Sequence, residues 1–431
     1  MPTLDTKAIL QGRKPGRHSI GLIVGITISA LCLLGVLGYL FLLGVAGAGA
    51  TGIVGFLLSI MLATIPVSLI VPLILLLDRL EPEPPSMLVF AFLWGAGGAV
   101  LVSLILNTLG MTLYTIPTFG DTMGEYLGAT VVAPVVEESA KGLVLLLLLW
   151  RRRHEIDSYT DGVIYAGMVA AGFAFTENIL YFLSSFFEAG ALGLAFTFVL
   201  RGLLSPLGHP LFTAMIGLGV AHVAITRGGM RYLAPVLGWV AAVLLHALWN
   251  GSTIFGWLGF VGAYFVGFCV LIGLIVRAIL DRHRQVTAIG RYLKPYMPTG
   301  LVTPADIHML SSMRRRRLAR TWAQRNVGSG GRRAMIDYQL AATELALLHQ
   351  RLERGVARPQ WRERRDAFLA LMHVAREAFL GGMRRPVVPE WAANSHDSGL
   401  MHRDNFQHVI DQVQAQSPPQ HPGSNPVHGS G

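Results

Sequence analysis

The segment VVAPVVEESAKGLVLLLLLW, residues 131–150, decides the fold class, because it is almost wholly apolar and yet contains three charged side chains. A helix of about 20 apolar residues, rising about 1.5 Å per residue, crosses a hydrocarbon core of about 30 Å. Glu137, Glu138 and Lys141 lie well inside this segment. Charged groups at such a depth cost about 2.5–3.5 kcal/mol each and are rare unless they face a cavity. The segment therefore predicts a membrane helix that carries a polar site.

The composition of the whole chain agrees with this prediction. Of its 431 residues, 52% are hydrophobic and only 14% are charged, whereas about a quarter are charged in an ordinary soluble domain. These proportions exclude a soluble globular protein. We predict an all-α fold, a polytopic transmembrane helical bundle with about eight spans. The predicted spans are residues 20–44, 53–77, 87–111, 128–150, 161–184, 206–225, 232–252 and 255–277.

Basic residues divide the chain into regions and predict its orientation. Cytoplasmic loops carry an excess of Lys and Arg. The cluster Arg151–Arg153 and the basic flanks of the other spans therefore predict that both termini are cytoplasmic. We expect the protein in the plasma (inner) membrane. We predict a basic cytoplasmic N-terminus (1–19), the bundle (20–280), a cytoplasmic region of amphipathic helices (281–388) and a disordered tail (389–431). A turn over residues 78–85 is expected to be stiffened by prolines.

The net charge of +10 arises mostly outside the apolar segments. The cluster Arg314–Arg317 would lie beside the membrane, where each basic residue contributes about 1 kcal/mol of attraction to anionic lipid. The alternative is a solvated helix face. We expect lipid rather than nucleic acid as the partner of this region.

Polar residues recur inside four of the predicted spans, at one depth. Counted from the predicted cytoplasmic ends of their spans, Glu137, Glu177, His209 and His246 lie 13 to 16 residues in, which corresponds to about 20–24 Å. Glu137 and Lys141 share a helix face, as do His246 and Asn250, because each pair is spaced i, i+4. The candidate catalytic residues are Glu137, Glu138, Glu177, His209, His246 and Asn250, supported by Lys141, Asn178, Phe173 and Trp249.

A carboxylate and an imidazole in a wet cavity can activate water, so this set predicts a hydrolase. His246 and Asn250 would supply donors to a developing oxyanion. Alternatively, a divalent metal such as zinc would bind the water and lower its pKa. Its candidate ligands are Glu137, Glu177, His209 and His246. Neither the zinc motif His-Glu-x-x-His nor the serine motif Gly-x-Ser-x-Gly occurs.

Each polar residue also has a purely structural interpretation. Adjacent Glu137 and Glu138 would suit a helix start near Pro134, since a helix N-terminus favours acids. Lys141 would serve as a counter-ion to Glu137 rather than as a base. His209 would be a satisfied interior histidine, and His246 would lie at the membrane interface beside Trp249. The shared depth of these residues favours the functional interpretation.

Three short motifs on successive spans resemble a known family. Glu137-Glu138-Ser139-Ala140-Lys141 resembles Glu-Glu-x-x-Lys, Phe173 to Asn178 resembles Phe-x-x-x-Glu-Asn, and His246 to Asn250 resembles His-x-x-Trp-Asn. With His209 and a Glu-Pro-Glu-Pro-Pro turn, this order is similar to that of the PrsW family of intramembrane proteases. The resemblance covers about residues 20 to 280. PrsW proteins are similar in turn to the superfamily of CaaX prenyl proteases and bacteriocin-processing enzymes.

The resemblance implies an intramembrane endopeptidase, glutamate- or metal-dependent. Glu137 would be the water-activating acid, and His246 with Asn250 would match the oxyanion motif. The second motif of the superfamily usually ends in His, whereas this chain has Glu177, so His209 would take the imidazole role. The implied substrate is a single-span membrane protein, typically an anti-sigma factor in a stress-signalling cascade. The alternatives are a proton-coupled transporter and a non-catalytic membrane scaffold.

Overall fold

The structure is a computed structural model that describes residues 20–77, 83–357 and 359–380. Three predictions lie outside or partly outside these residues. They are the basic N-terminus (1–19), most of the proline-stiffened turn (78–82 of 78–85) and the tail (389–431) with the last residues of the amphipathic region (381–388).

The described residues form helices, and no strand occurs among them. This confirms the all-α prediction. The helices are α1 (Ile20–Leu77), α2 (Pro85–Leu93), α3 (Val100–Gly110), α4 (Ile116–Phe119), α5 (Asp121–Leu127), α6 (Ala133–Arg152), α7 (Tyr159–Thr197), α8 (Gly208–Ile225), α9 (Leu233–Gly251), α10 (Gly256–Tyr292), α11 (Pro304–Leu310), α12 (Met313–Glu353) and α13 (Trp361–Leu380). Short π-helical segments join several of them, at Trp94–Ala99, Met111–Thr115, Gly128–Val132 and Phe198–Leu204.

Helix α1 is a hairpin of two arms rather than one straight rod. Its backbone leaves the helical region at Ala48 and Gly49, and Gly49 adopts a φ of 55°, which glycine tolerates without steric cost. Across the reversal, a Cβ atom on Gly52 would lie 1.8 Å from the carbonyl oxygen of Gly44. The two arms therefore pack backbone to backbone, which only small residues permit.

Five stretches of the described chain are long and apolar enough to cross a membrane: Ile20–Leu77, Pro85–Phe119, Tyr159–Ile225, Gly229–Gly251 and Gly256–Tyr292. Their length and composition support a helical membrane protein. Since two of these stretches contain backbone reversals, this number is not a count of crossings. The figure of eight spans stays a prediction.

Helix α8 lies at the centre of the helices that carry the predicted polar residues, because it packs against α6, α7 and α9. It approaches α7 closely. A Cβ atom on Gly162 would lie 2.2 Å from the carbonyl oxygen of Gly217, and one on Gly217 would lie 2.2 Å from that of Gly162. This glycine pair lets the two backbones touch and so sets the distance between the polar residues of α7 and α8.

The chain divides into two compact units. The first consists of residues 1–285 and 348–364, and the second of residues 286–347 and 365–431. The predicted domain limits at 280 and 388 stay predictions.

The second unit is an amphipathic helical assembly. Thr303 and Asp306 form a capping box at the start of α11. Within this unit, Tyr338, Phe368 and Phe379 are fully buried. Arg376 donates to Asp306 over 2.7 Å, so the buried carboxylate has a cationic partner.

Candidate active site

The structure brings the predicted polar residues of four helices to one small cavity. Glu137 on α6, Glu177 on α7, His209 on α8 and His246 on α9 all line it. The cavity holds about 60 Å³, and one water needs about 10–15 Å³ of such space. There is therefore room for several waters beside two carboxylates and two imidazoles.

Glu138 and Lys141 form an ion pair behind the cavity wall. Both side chains are fully buried, and Lys141 Nζ lies 2.8 Å from Glu138 Oε1. The same ammonium lies 3.5 Å from Glu137 Oε2 and 3.9 Å from the centre of the Phe173 ring. The counter-ion of Lys141 is thus primarily Glu138, where the sequence predicted Glu137.

Glu138 is saturated by donors from three helices. Besides Lys141, the Thr213 hydroxyl donates to Oε2 over 2.8 Å, and Nδ1 of His246 lies 3.1 Å from Oε1. A buried charge is tolerated only when it is paired and hydrogen-bonded in this way. Because Glu138 does not line the cavity, its position fits the anchoring of Lys141 and His246 better than contact with a substrate.

His246 is held in one orientation by its neighbours. Its ring stacks on that of Phe212, with centroids 5.1 Å apart, and its Nδ1–H donates to the Glu138 carboxylate. The neutral tautomer with the proton on Nδ1 leaves the lone pair of Nε2 directed at Glu137 Oε2, 3.9 Å away. Two acceptors at this distance can be bridged by a water molecule that donates a hydrogen bond to each.

Glu137 faces the cavity with one oxygen and packs against protein with the other. Asn107 Nδ2 donates to Oε1 over 3.3 Å. Asn107 Oδ1 is buried and has no hydrogen-bond partner in the part of the chain that the structure describes. An acceptor left in this state favours an ordered water beside the Glu137 carboxylate.

Glu177 is paired with an arginine that the sequence interpretation did not include. Arg201, in the π-helical segment Phe198–Leu204, donates from Nη2 to Glu177 Oε2 and from Nε to Asn178 Oδ1 over 3.0 Å. Its guanidinium also stacks over Tyr181, 4.0 Å from the ring centre. Arg201 lies just before the predicted span 206–225, within an apolar stretch. Charged side chains inside apolar stretches are candidates for a functional site, and this rule, which selected the other residues, also selects Arg201.

His209 bridges the two ion pairs. Lys141 Nζ lies 3.1 Å from Nδ1, and Glu177 Oε2 lies 2.8 Å from Nε2. An ammonium has donors only, so Nδ1 of His209 accepts a hydrogen bond from Lys141. The ring hydrogen of His209 is therefore on Nε2, which donates a hydrogen bond to Glu177 Oε2. In this arrangement His209 is a donor toward the cavity side and does not itself accept a proton there.

Asn250 and Trp249 line the cavity with their side chains engaged elsewhere. Asn250 Nδ2 donates to the carbonyl oxygen of Ala129 over 2.9 Å, and the Trp249 ring packs edge-on against Tyr264, 5.0 Å between centres. One of the two hydrogens on Asn250 Nδ2 is therefore used by Ala129.

The side chains around the cavity have the composition of a metal-binding site. One ligand atom each from Glu137, His209 and His246 lies within 4.8 Å of the others, and two histidines with one glutamate are a known catalytic zinc set. Glu138 lies behind His246, as the outer carboxylate of a zinc-bound histidine usually does. Two ligands are thus in place. His209 would join them by giving up its Nε2 contact with Glu177, with its ring hydrogen moved from Nε2 to Nδ1 and Lys141 turned away from Nδ1. The residues fit a metal, with Glu177 outside the group of three.

Comparisons with known proteins connect this geometry to a family. The family described as PrsW family intramembrane metalloprotease matches residues 83–276, a range that includes all the residues of the cavity except those of the second arm of α1. No solved structure matches the chain significantly.

Curated relatives are similar to part of the chain. Protease PrsW of Geobacillus kaustophilus is 29% identical over 152 residues, 35% of this chain and 60% of the relative. Protease PrsW of Bacillus subtilis is 28% identical over 175 residues, 40% of this chain and 72% of the relative. Protease PrsW of Clostridioides difficile is 33% identical over 140 residues, 32% of this chain and 55% of the relative. The chain thus spans between about half and three quarters of these relatives. Residues 83–276, which carry the cavity and its paired charges, are therefore similar to the PrsW family of intramembrane metalloproteases.

Proposed function

We propose that the protein is an intramembrane endopeptidase that hydrolyses a peptide bond of a membrane-protein substrate in the cavity between α6, α7, α8 and α9. The observation that carries this proposal is the opposition of Glu137 Oε2 and His246 Nε2 across 3.9 Å in a cavity large enough for water. Both atoms are acceptors, and a water molecule donating to each would satisfy them.

Such a water is placed for general-base catalysis. Its oxygen adds to the carbonyl carbon of the substrate while Glu137 takes its proton, and the proton passes to the amide nitrogen as the C–N bond breaks. A positioned base of this kind contributes about 10²–10⁴-fold to the rate. The Arg201 guanidinium lies on the cavity wall and would stabilise the oxyanion. The Nε2–H of His209 would do so once it turns from Glu177, and Asn250, whose Nδ2 has two hydrogens, would add a donor.

The same residues would hold a metal ion. Glu137 and His246, joined by His209, would be its ligands, and the ion when bound would bring the pKa of its water to about 7. Glu138 would keep His246 oriented in either chemistry, because its contact is to Nδ1.

A substrate route is provided by an apolar groove beside the cavity. The groove holds about 340 Å³ and shares Ser205, Pro206, Gly208, Phe212 and Trp249 with the cavity lining. A single apolar transmembrane segment suits its leucine-rich walls, and an unwound residue of that segment would enter the polar cavity past Ser205. The proposed substrate is therefore a single-span membrane protein, for which an anti-sigma factor is one candidate. We place the enzyme in the plasma membrane with both termini in the cytoplasm, as the positive clusters favour.

Cleavage in liposomes tests the proposal. Purified protein is reconstituted with a panel of single-span peptides, and the wild type is compared with Glu137→Gln and His246→Ala, each with and without a chelator. Glu188→Gln is the matched control, because Glu188 is an exposed glutamate of α7. We expect cleavage in the wild type and the control and a loss of at least about 100-fold in both site variants.

The other outcomes are informative as well. Loss of wild-type cleavage with the chelator, restored by zinc, would assign the metal chemistry, and insensitivity to the chelator would assign direct glutamate catalysis. Cleavage that persists in Glu137→Gln would refute the assigned base. Proton flux in the same liposomes without any cleavage would support a transporter instead.

A further inference from the structure

Asn107 is a polar residue beside the candidate active site that lies outside the predicted set of site residues. It is near the end of α3, and its Nδ2 donates to Oε1 of Glu137 over 3.3 Å. Helix α3 carries none of the predicted site residues, although it packs against α6, the helix of Glu137. Asn107 therefore connects a fifth helix to the proposed base.

Contacts on both sides of Asn107 fix α3 against α6. Before the start of α3, Nε1 of Trp94 donates to the carbonyl oxygen of Ala140 on α6 over 3.0 Å. At the end of α3, an added Cβ atom on Gly110 would lie 2.8 Å from Cγ1 of Val132, just before α6. Because Asn107 lies between these two contacts, its distance from the proposed base is set by the packing of the two helices.

The side-chain amide of Asn107 has one favoured orientation. An ionised carboxylate only accepts hydrogen bonds, so the reverse orientation would place two acceptor oxygens opposite each other. In the favoured orientation, Oδ1 is buried and has no hydrogen-bond partner among the residues that the structure describes. A buried acceptor in this state costs free energy. The orientation therefore serves Glu137, which gains a donor, rather than the hydrogen bonding of Asn107 itself.

A donor on Oε1 restricts rotation of the Glu137 carboxylate. The last torsion of a glutamate side chain has a broad energy minimum, so the rotamer alone does not fix the plane of the carboxylate. The proposed chemistry needs Oε2 directed at Nε2 of His246, 3.9 Å away. Misplacement of a reacting group by about 1 Å can cost about 100-fold in rate. A hydrogen bond that holds Oε1 can therefore affect catalysis without any contact with the substrate.

We propose that Asn107 is a positioning residue of the peptidase, whose amide holds the Glu137 carboxylate with Oε2 toward His246 and the water between them. The inference rests on the proposed function. Asn107 does not line the cavity, so it acts through Glu137.

Steady-state cleavage of a single-span peptide in liposomes tests the proposal, because it separates changes in kcat from changes in KM. Asn107→Leu keeps the branched shape but has no donor, and Asn107→Gln keeps an amide donor. Ser103→Ala is the matched control. Ser103 is buried one turn earlier in α3, and its hydroxyl has no hydrogen-bond partner in the described part of the chain. The melting temperature shows that each variant folds.

We expect Asn107→Leu to lower kcat about 10- to 100-fold and to change KM by less than about twofold. Asn107→Gln should lose less than Asn107→Leu, and Ser103→Ala should cleave as the wild type does. A folded Asn107→Leu variant with the kcat of the wild type, a change confined to KM, or an equal loss in Ser103→Ala would overturn the proposal.

Melting temperatures without substrate separate this proposal from the proposed function. They are compared for Asn107→Leu, Glu137→Ala and the double variant. Because either single change removes the same hydrogen bond, the shift of the double variant should be smaller than the sum of the single shifts. Additive shifts would overturn the contact and the proposal. Absence of cleavage by every version, the wild type included, would overturn the proposed function and the catalytic role of Asn107, while the melting temperatures would still decide the contact.

Discussion

Replacement of Lys141 by methionine should destabilise the membrane unit severely, although methionine has a similar size and is more apolar. Lys141 is the ammonium 2.8 Å from Glu138 Oε1, and Glu138 is 0% exposed. Without Lys141, Glu138 retains two neutral partners, Thr213 and His246. Breaking a fully buried ion pair from one side typically costs about 3–5 kcal/mol, because one charge remains buried without a counter-charge. Loss of the Lys141 contact with Glu137 adds less to the destabilisation, because Glu137 lines a cavity that admits water.

The measurement is reversible unfolding in mixed detergent micelles, followed by helical circular dichroism. Lys141→Met should lower the free energy of unfolding by about 3–5 kcal/mol. The double variant Lys141→Met with Glu138→Gln should recover about half of the loss or more, because it removes the stranded charge. Lys294→Met is the matched control, because Lys294 is exposed and should change the value by at most about 0.5 kcal/mol. A loss below about 1 kcal/mol in Lys141→Met, or a double variant no more stable than the single one, would refute the reasoning.

Three further predictions follow from other contacts. Gly217→Leu should separate α8 from α7, because even a Cβ atom would lie 2.2 Å from the carbonyl oxygen of Gly162, and both the melting temperature and peptide cleavage should fall. Arg201→Gln should reduce kcat by about tenfold or more with a smaller change in KM, measured with a cleaved peptide, because Glu177 loses the partner that positions it against His209. Burial raises the pKa of Tyr338 well above its usual value; a raised pKa in the folded state means that stability falls as the pH rises above about 10, which pH-dependent unfolding of the full chain would show.

Each of these has a control and an opposing outcome. Gly273→Leu should be tolerated, because an added Cβ atom there meets nothing within 4 Å; equal damage from both glycine variants would argue against the packing interpretation. Arg282→Gln, at an exposed arginine, should leave kcat unchanged, and a purely structural role for Arg201 would show as a lower melting temperature with normal kcat in the folded fraction. Tyr338→Phe should remove the alkaline loss of stability, and persistence of the loss would assign it to other groups.

Much of the candidate site could be predicted from the sequence, because the energetic cost of a charged side chain in an apolar span is a property of that short segment. Charged side chains in apolar stretches had to meet one another, water or a metal, and equal depth in antiparallel helices brought Glu137, Glu177, His209 and His246 together in the prediction. The same four side chains line one cavity in the structure. The catalytic roles assigned to them stay proposals.

Other features of the site depend on the rotation of each helix about its own axis. Lys141 is four residues from Glu137 and three from Glu138, and both spacings place side chains on neighbouring faces. The helix pattern thus allows either partner. The choice of Glu138 reflects the position of α8 and α9, whose Thr213 and His246 reach the same carboxylate.

The sequence by itself determined that the protein is an all-α membrane protein, and it predicted that the intramembrane charges form a site and that the motifs resemble those of the PrsW family. These conclusions rest on composition, helical period and the high cost of isolated charge in hydrocarbon, all of which are properties of short segments. Only the tertiary structure decided that Arg201 pairs with Glu177, that Asn250 donates to Ala129, and that the segment 348–364 belongs with the first unit and encloses an arginine-rich cavity. Such contacts join residues far apart in the chain, and they depend on where helices cross and reverse, at positions such as Gly49 and the Gly162–Gly217 contact.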